Sequence, residues 1–109
     1  MEFVYTIVYT YKMKIELEWD ENKNRANIKN HDIDFRDAWK VFDKPTLEKI
    51  DNRKNYGEER WIALGRIDEL TVAIVYTHRA KKVRVISIRR ANRNERKIYE
   101  TQLKKQNQF

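Results

Sequence analysis

The sequence contains no cysteine, which excludes disulfide bonds and thiolate chemistry. Two histidines provide too few of zinc's usual ligands for a dedicated zinc site, so we expect no metal and no cofactor. Two glycines and one proline are too few for a turn-rich all-β sandwich. No apolar run is long enough to span a bilayer and no signal peptide is evident, which together predict a cytoplasmic protein.

The composition fits one small globular domain. The 109 residues are 40% hydrophobic and 12% aromatic, enough for a modest core although 38% are charged. We therefore expect a single domain over 1–109. The first residues, MEFVYTIVYTYKM, do not resemble the rest of the chain, so we interpret 1–12 as an extension that could add a strand, and 13–105 as the folded domain starting at Met13.

Positive charge is concentrated in the second half of the chain. The net charge is +7, yet residues 1–60 hold twelve Lys and Arg against thirteen Asp and Glu, while 61–109 hold twelve against four. Such asymmetry favours a polyanionic partner for the C-terminal half, either a nucleic acid or an acidic protein. A basic surface that serves only solubility is the alternative.

The N-terminal half reads as a strand followed by two helices. Residues 14–19 alternate between apolar and charged side chains, which predicts a half-buried strand. Asp20 is an expected N-cap for a mostly polar helix over 21–30. Asp34 is an expected N-cap for a second helix, which Pro45 terminates. Its predicted buried face consists of Phe35, Ala38, Trp39 and Phe42.

The C-terminal half reads as strands followed by a helix. Strands are predicted over 46–51, 60–65, 71–77 and 83–88, the third covered on both faces. Asn92 and Glu95 fit a capping box for a last helix ending near Lys105. The expected fold class is α+β: two N-terminal helices, an antiparallel sheet of three to four strands with one open face, and a C-terminal helix.

Arginines crowd the last strand and helix. If Ile86 and Ile88 face the helices, Ser87 and Arg89 face the open side of the sheet, and Arg66 can reach the same surface. Gathering guanidinium groups is unfavourable without an anion, and a phosphate or carboxylate would relieve the repulsion. Arg66, Arg89 and Arg96 therefore form a candidate phosphate site. A solvated helix face remains the alternative for Arg93 and Lys97.

Several sequence blocks, in order, resemble one family. The stretch KIELEWDENKNRANIKNHDIDF and the later blocks GEERWIALGRI, VAIVYTHR, RVISIRRA and RNERKIYE resemble the BrnT toxins from Lys14 to about Glu100. Asp32 stands where that family usually has Gly, and Ile88 where a small residue is common. The resemblance implies a RelE-like fold, a toxin of a type II toxin–antitoxin pair, an RNA substrate and a BrnA-like antitoxin partner, in a hetero-oligomer such as 2:2.

The resemblance also implies an active surface. The residues that match it here are Lys29, His31, Arg66, Arg89 and Arg96. For a metal-independent endoribonuclease, Arg66 and Arg89 would hold the phosphate, and Glu59 or His31 would accept a proton. Arg96 would brace the phosphate or assist the leaving group. His31 equally suits a helix C-terminus without catalysis.

Further RNA contacts are expected along the basic surface, at Arg79, Arg84, Arg90, Arg93, Lys97 and Tyr99. Burial is the competing interpretation for Tyr99. Operator DNA would be contacted only through the antitoxin complex. The alternative function is a non-catalytic basic module that binds an acidic protein or a nucleic acid.

Overall fold

The computed structural model describes residues 6–8 and 16–106. Within them, the elements in chain order are β1 (Thr6–Val8), β2 (Glu16–Trp19), α1 (Glu21–His31), a 3-10 turn (Phe35–Asp37), α2 (Ala38–Phe42), β3 (Thr46–Ile50), β4 (Trp61–Ile67), β5 (Leu70–Arg79), β6 (Lys82–Arg90) and α3 (Arg93–Gln106). The predicted α+β class is confirmed. Met13 and the predicted start of β2 at 14–15 lie outside the described residues.

The sheet is larger than predicted and mixed in direction. Six strands of the described part of the chain pair in the order β1-β3-β4-β5-β6-β2. β2 runs parallel to β6, with Glu16 opposite Lys82 and Trp19 opposite Val85, whereas the other pairs are antiparallel. The expectation of three to four antiparallel strands was therefore wrong. Parallel pairing needs a long connection, which here contains the N-terminal helices and three strands.

The two hairpins are tighter than the sequence suggested. β4 and β5 extend to Ile67 and Leu70, so only Asp68 and Glu69 turn the chain. β5 and β6 likewise leave a two-residue turn at Ala80 and Lys81. The first residue of each turn, Asp68 in one and Ala80 in the other, has a positive φ, 54° and 55°. Two-residue hairpin turns require a positive φ at this position.

Helices cover both faces of the sheet. One core cluster joins the α1–α2 region to the sheet through Ile33, Phe35, Val41 and Phe42. The second cluster lies on the other face, where Tyr99 of α3 packs with Leu47, Ile62, Leu64, Ala73 and Val75. The sheet face expected to be open is therefore partly covered by α3. The central strand β5 is buried from Thr71 to Thr77, as its apolar sequence predicted.

A bulge in β6 changes which side chains share a face. Val75 of β5 pairs with Ser87 and Tyr76 pairs with Val85, so Ile86 is an extra residue. Ile86 packs with the α3-side cluster, whereas Ile88 belongs to the opposite cluster. The prediction that these isoleucines share a face was wrong, because strict alternation fails at a bulge. Ser87 nevertheless lies across from Val75, on the α3 side.

The second helix begins with a 3-10 turn, which alters its buried face. The side chain of Asp34 accepts a hydrogen bond from the Arg36 amide, so its predicted capping role is confirmed. Ala38, Val41 and Phe42 are buried, but Trp39 is 54% exposed. Burial of Trp39 was predicted from continuous α-helical spacing. The 3-10 turn has fewer residues per turn, so the residues after it lie at other angles around the helix axis than that spacing assumes.

Candidate functional site

A buried asparagine fixes α1 against β6. The Asn27 side-chain amide donates to the carbonyl oxygens of Ile33 and Ile88, at 2.9 Å each. Its oxygen accepts from the Ile88 amide at 3.0 Å. The Asn27 side chain therefore bonds to both backbone polar groups of Ile88, as a residue of a neighbouring strand would, and Ile88 is adjacent to Arg89. The last turn of α1, with Lys29 and His31, is consequently held close to the end of β6.

The two ends of α1 are also defined by polar contacts. Asp20 caps the first turn by accepting hydrogen bonds from the Asn22 and Lys23 amides, as predicted. Buried Asn24 bonds to the Asp34 carboxylate and to the Phe35 amide, which fixes the chain beyond the helix. Asp32 terminates the helix in the left-handed conformation, with φ 58°. Glycine adopts that conformation without strain, so this turn suits the glycine typical of the resembled family.

An open groove of about 470 Å³ lies where α1 meets the end of β6. It is lined by residues from both elements: Lys29, Asn30, His31, Asp32, Arg89 and Arg90. An imidazole that can exchange a proton thus shares one groove with a lysine and two arginines, the groups that bind phosphate. Among the predicted catalytic residues, the structure brings together Lys29, His31 and Arg89, and the predicted RNA contact Arg90 joins them.

Arg89 makes a bidentate ion pair with Glu95 in the first turn of α3. Its Nη1 and Nη2 atoms lie 2.7 and 2.9 Å from the two carboxylate oxygens. The Glu95 carboxylate also accepts a hydrogen bond from the Asn92 backbone amide, and the Glu95 backbone amide donates to the Asn92 side-chain oxygen, both at 2.8 Å. The predicted capping box is confirmed. Burial acts to raise the pKa of Glu95, but hydrogen bonds from Arg89 and the Asn92 amide outweigh it and leave this pKa below the ordinary value.

A second, smaller cleft of about 100 Å³ adjoins Arg89 on the α3 side of the sheet. It is lined by the end of β3, the loop after it and the Arg89–Glu95 pair: Lys49, Ile50, Asp51, Asn52, Arg53, Ile62, Arg89 and Glu95. The Arg53 guanidinium hydrogen-bonds to buried Asp51, and Tyr56 donates to the same carboxylate. The Arg53 hydrogen bond is the largest cause that lowers the pKa of Asp51. Arg89 therefore lies between two clefts.

Arg66 and Arg96 have other surroundings. Arg66 shares the α3 side of the sheet with Arg89, because Leu64 and Ala73 of that side pair with each other and Ala73 pairs with Arg89. Its guanidinium carbon lies 5.9 Å from the Tyr99 ring centroid, and its Nε is buried without a hydrogen-bond partner. Arg96 donates to the Ala91 carbonyl oxygen at 2.9 Å. Neither arginine lines the two clefts described above.

Glu59 lies at the far end of β4 from Arg66. It precedes the strand, and its carbonyl oxygen accepts a hydrogen bond from Thr77 at 2.7 Å. Glu59 and Arg66 are seven positions apart in the chain, about 23 Å when the chain is extended. These two side chains are therefore too far apart to contact one phosphodiester. His31 lines the groove that contains Arg89, whereas Glu59 does not.

The predicted RNA-contact residues are spread over several surfaces. Arg79 pairs with Glu58 at 3.2 Å, and Arg84 pairs with Glu18 at 3.4 Å. Arg93 and Lys97 are exposed on α3. Tyr99 is only 2% exposed, and its burial raises the pKa of its hydroxyl. Stacking of a base on Tyr99 is excluded by that burial, so this residue belongs to the core.

Sequence reasoning missed the residues that hold the groove together. Asn24 and Asn27 seemed to be solvated helix residues, because polar side chains on a polar helix give no apolar periodicity. Only their spacing of three, which places both on one helix face, indicated that they could be buried together. Lys49 and Arg53 were also missed, since a loop and a short strand gave no sign of lying beside Arg89.

No group of three or more His, Asp or Glu side chains that could hold a metal ion occurs among the residues with described coordinates. No helix in the described part of the chain is long and apolar enough to cross a membrane.

Comparison with known protein families identifies a match over most of the chain. The family model described as a ribonuclease toxin, BrnT, of a type II toxin–antitoxin system matches residues 19–95. The matched range runs from Trp19 at the end of β2 to Glu95 in α3, and it includes both sides of the groove. No curated protein matches the chain.

Proposed function

Since the chain belongs to the BrnT family of ribonuclease toxins from type II toxin–antitoxin systems, we propose that it is a metal-independent endoribonuclease. It cleaves cellular RNA in the cytoplasm, inhibits translation and is neutralised by a BrnA-like antitoxin. The groove in which Lys29, His31, Arg89 and Arg90 meet is the observation that supports this proposal.

The chemistry uses a nucleophile that RNA itself provides. The neutral imidazole of His31 takes the proton of the 2′-hydroxyl, whose oxygen attacks the adjacent phosphorus. Arg89 and Arg90 bind the non-bridging oxygens and stabilise the charge that develops on them. Lys29 adds a third positive charge at the same phosphate. The bond to the 5′-oxygen then breaks as that oxygen takes a proton from water, and the imidazolium of His31 returns its proton to the solvent. The products carry a 2′,3′-cyclic phosphate and a 5′-hydroxyl.

This reaction is tested by incubating the purified protein with RNA in EDTA and mapping the product ends. We expect cleavage in EDTA, cyclic phosphate ends, and no cleavage of RNA that carries 2′-deoxyribose throughout. His31→Ala should lower kcat by about 10²–10⁴, the usual contribution of general acid–base catalysis. Cleavage that requires a divalent metal, or cleavage of the deoxy substrate, would contradict the proposal.

A charge-matched control comes from the other end of β6. Lys81 is exposed in the β5–β6 turn, about 25 Å of strand away from Arg90. Arg90→Ala should weaken RNA binding and reduce its salt dependence, whereas Lys81→Ala should change neither by more than about twofold. Equal losses in both variants would mean that overall charge, and not the groove, binds the RNA. The double variant Arg66→Ala and Arg89→Ala tests whether these two arginines act on the phosphate at all.

The alternative, a basic module without catalysis, is favoured by one observation. Arg89 already has a carboxylate partner, and Arg93 and Lys97 remain exposed on α3 for an acidic protein. Growth arrest on induction, with RNA cleavage in cells and rescue by a co-expressed antitoxin, separates the toxin from an inert binding protein. Binding without growth arrest and without cleaved RNA would favour the module.

A further inference from the structure

Arg89 lies between two clefts, each of which contains a carboxylate besides that of its partner Glu95. It borders the groove that contains Asp32 and the smaller cleft that contains Asp51. An arginine side chain has many rotamers of similar energy, and a nearby carboxylate can select among them. A phosphate-binding role toward His31 needs one defined orientation, so the residue that sets this orientation matters for the reaction.

The contacts of Glu95 can set the orientation of the Arg89 guanidinium. Its side chain is 10% exposed and holds both terminal nitrogens of Arg89, which fixes the plane of the guanidinium. The Asn92 amide fixes the same carboxylate to the first turn of α3. Arg89, Asn92 and Glu95 are spaced three residues apart, so one short segment joins the end of β6, the helix cap and the guanidinium.

We propose that Glu95 is a positioning residue of the ribonuclease: it fixes the Arg89 guanidinium at the boundary between the two clefts and acts on RNA only through Arg89. This inference rests on the function proposed above. Burial alone would favour a protonated carboxyl, but the hydrogen bonds from Arg89 and Asn92 keep the pKa of Glu95 below its ordinary value. The carboxylate is therefore charged at neutral pH and accepts from both guanidinium nitrogens.

The first test separates positioning from helix capping. Glu95→Gln keeps an acceptor for the Asn92 amide, since glutamine also serves in a capping box, but it removes the charge that holds Arg89. Asn92→Ala removes the other half of the capping box and leaves the Arg89–Glu95 pair intact. We expect Glu95→Gln to lower kcat by about 10-fold or more with a small change in KM, because misorientation of a catalytic group is costly. Asn92→Ala should stay within about threefold of the parent kcat although its Tm falls as much or more.

A double-mutant cycle tests whether Glu95 acts through Arg89. If it does, Glu95→Gln should have no further effect on kcat in an Arg89→Ala background, because the group that it orients is gone. Additive losses in the double variant would overturn the proposal. Equal losses of kcat in Glu95→Gln and Asn92→Ala would also overturn it, since capping alone would explain both.

An NMR measurement decides the proposal without using activity. The side-chain Nε–H signal of Arg89, assigned by its loss in Arg89→Lys, should report a rigid guanidinium in the parent protein and a mobile one in Glu95→Gln. The same mobility in both proteins would overturn the positioning role. A parent protein that cleaves no RNA would refute the proposed function, while the NMR result would still show whether Glu95 orients Arg89.

Discussion

α1 and α3 cover opposite faces of one sheet, yet they are attached to it by different forces. α1 is mostly polar, and its buried residues are Asn24 and Asn27, which hydrogen-bond to the backbone around them. α3 is attached by apolar packing of Tyr99, Ile98 and Leu103 on the second core cluster. Hydrogen bonds are directional, whereas apolar burial is not.

The difference corresponds to what each helix must hold in place. Lys29 and His31 share a groove with Arg89, because Asn27 fixes α1 to β6 at the neighbouring residue Ile88. Apolar packing alone would tolerate small shifts of α3 along the sheet. The directional hydrogen bonds of the Arg89–Glu95 pair fix the first turn of α3 relative to the end of β6. The groove is therefore fixed by polar contacts on both sides, although the core is apolar.

The largest expected effect comes from breaking the α1 attachment. Asn27→Ala removes three hydrogen bonds and leaves the Ile88 amide and two carbonyl oxygens buried without that partner. We expect the free energy of unfolding to fall by about 4 kcal/mol, since each unsatisfied buried group costs about 1–3 kcal/mol. Urea denaturation measures the loss, and kcat of the remaining folded protein should fall too. Asn22→Ala, exposed on the same helix, should stay within about 0.5 kcal/mol of the parent.

Weakening the packing of α3 should lower the stability of the protein and leave RNA binding at the groove unchanged. Tyr99→Ala leaves a cavity in the second core cluster and should lower the free energy of unfolding by about 3 kcal/mol. RNA affinity of the folded protein should stay within about threefold, because the ring is buried and does not reach a base. A loss of RNA affinity much larger than that, in protein shown to be folded, would restore the stacking role for Tyr99.

Low pH should reduce the stability that the Arg89–Glu95 pair contributes, because it protonates Glu95. The pKa of Glu95 in the folded protein lies below its ordinary value of 4.5, so the unfolded chain binds more protons than the folded one near that pH. Its contribution to stability is therefore present above about pH 5 and is lost as the pH falls through the folded-state pKa. We expect the stability difference between the parent protein and Glu95→Gln to shrink between pH 6 and pH 3. A constant difference over that range would mean that Glu95 is not held as an anion.

The smallest expected effect concerns Asp32, whose left-handed conformation is costly for a residue other than glycine. Asp32→Gly should raise the free energy of unfolding by about 0.5–1 kcal/mol and also tighten RNA binding a few-fold, since a negative charge leaves the groove. Ala80→Gly is a matched control, because Ala80 has φ 55° in the β5–β6 turn, away from the groove. It should give a similar gain in stability and no change in RNA binding.

Local signals in the sequence predicted much of the fold. Alternating or continuous apolar patterns predicted β3 to β6, and cap chemistry predicted the starts of α1 and α3 at Asp20 and Asn92. The family resemblance from Lys14 to about Glu100 is confirmed by the match over residues 19–95. These features depend on residues close together in the chain, where the spacing of side chains determines the structure.

Long-range pairings could not be predicted in the same way. β2 pairs in parallel with β6, more than sixty residues later, and no local pattern specifies that neighbour. The site shows the same limit: His31 and Arg89 were identified separately, but Asn27, which brings them together, resembled a solvated helix residue. Trp39 and Ile86 were misplaced because a 3-10 turn and a bulge interrupt the regular periods.

The bond between Asn27 and Ile88 has a consequence for when the groove can form. It joins positions 61 residues apart, and β2 can pair only with a β6 that already exists. During synthesis the N-terminal segment leaves the ribosome long before its partners do, so His31 has no arginine of β6 beside it until most of the chain has emerged. A nascent or truncated chain that lacks β6 therefore has no groove, because Arg89 and Arg90 form one of its two sides.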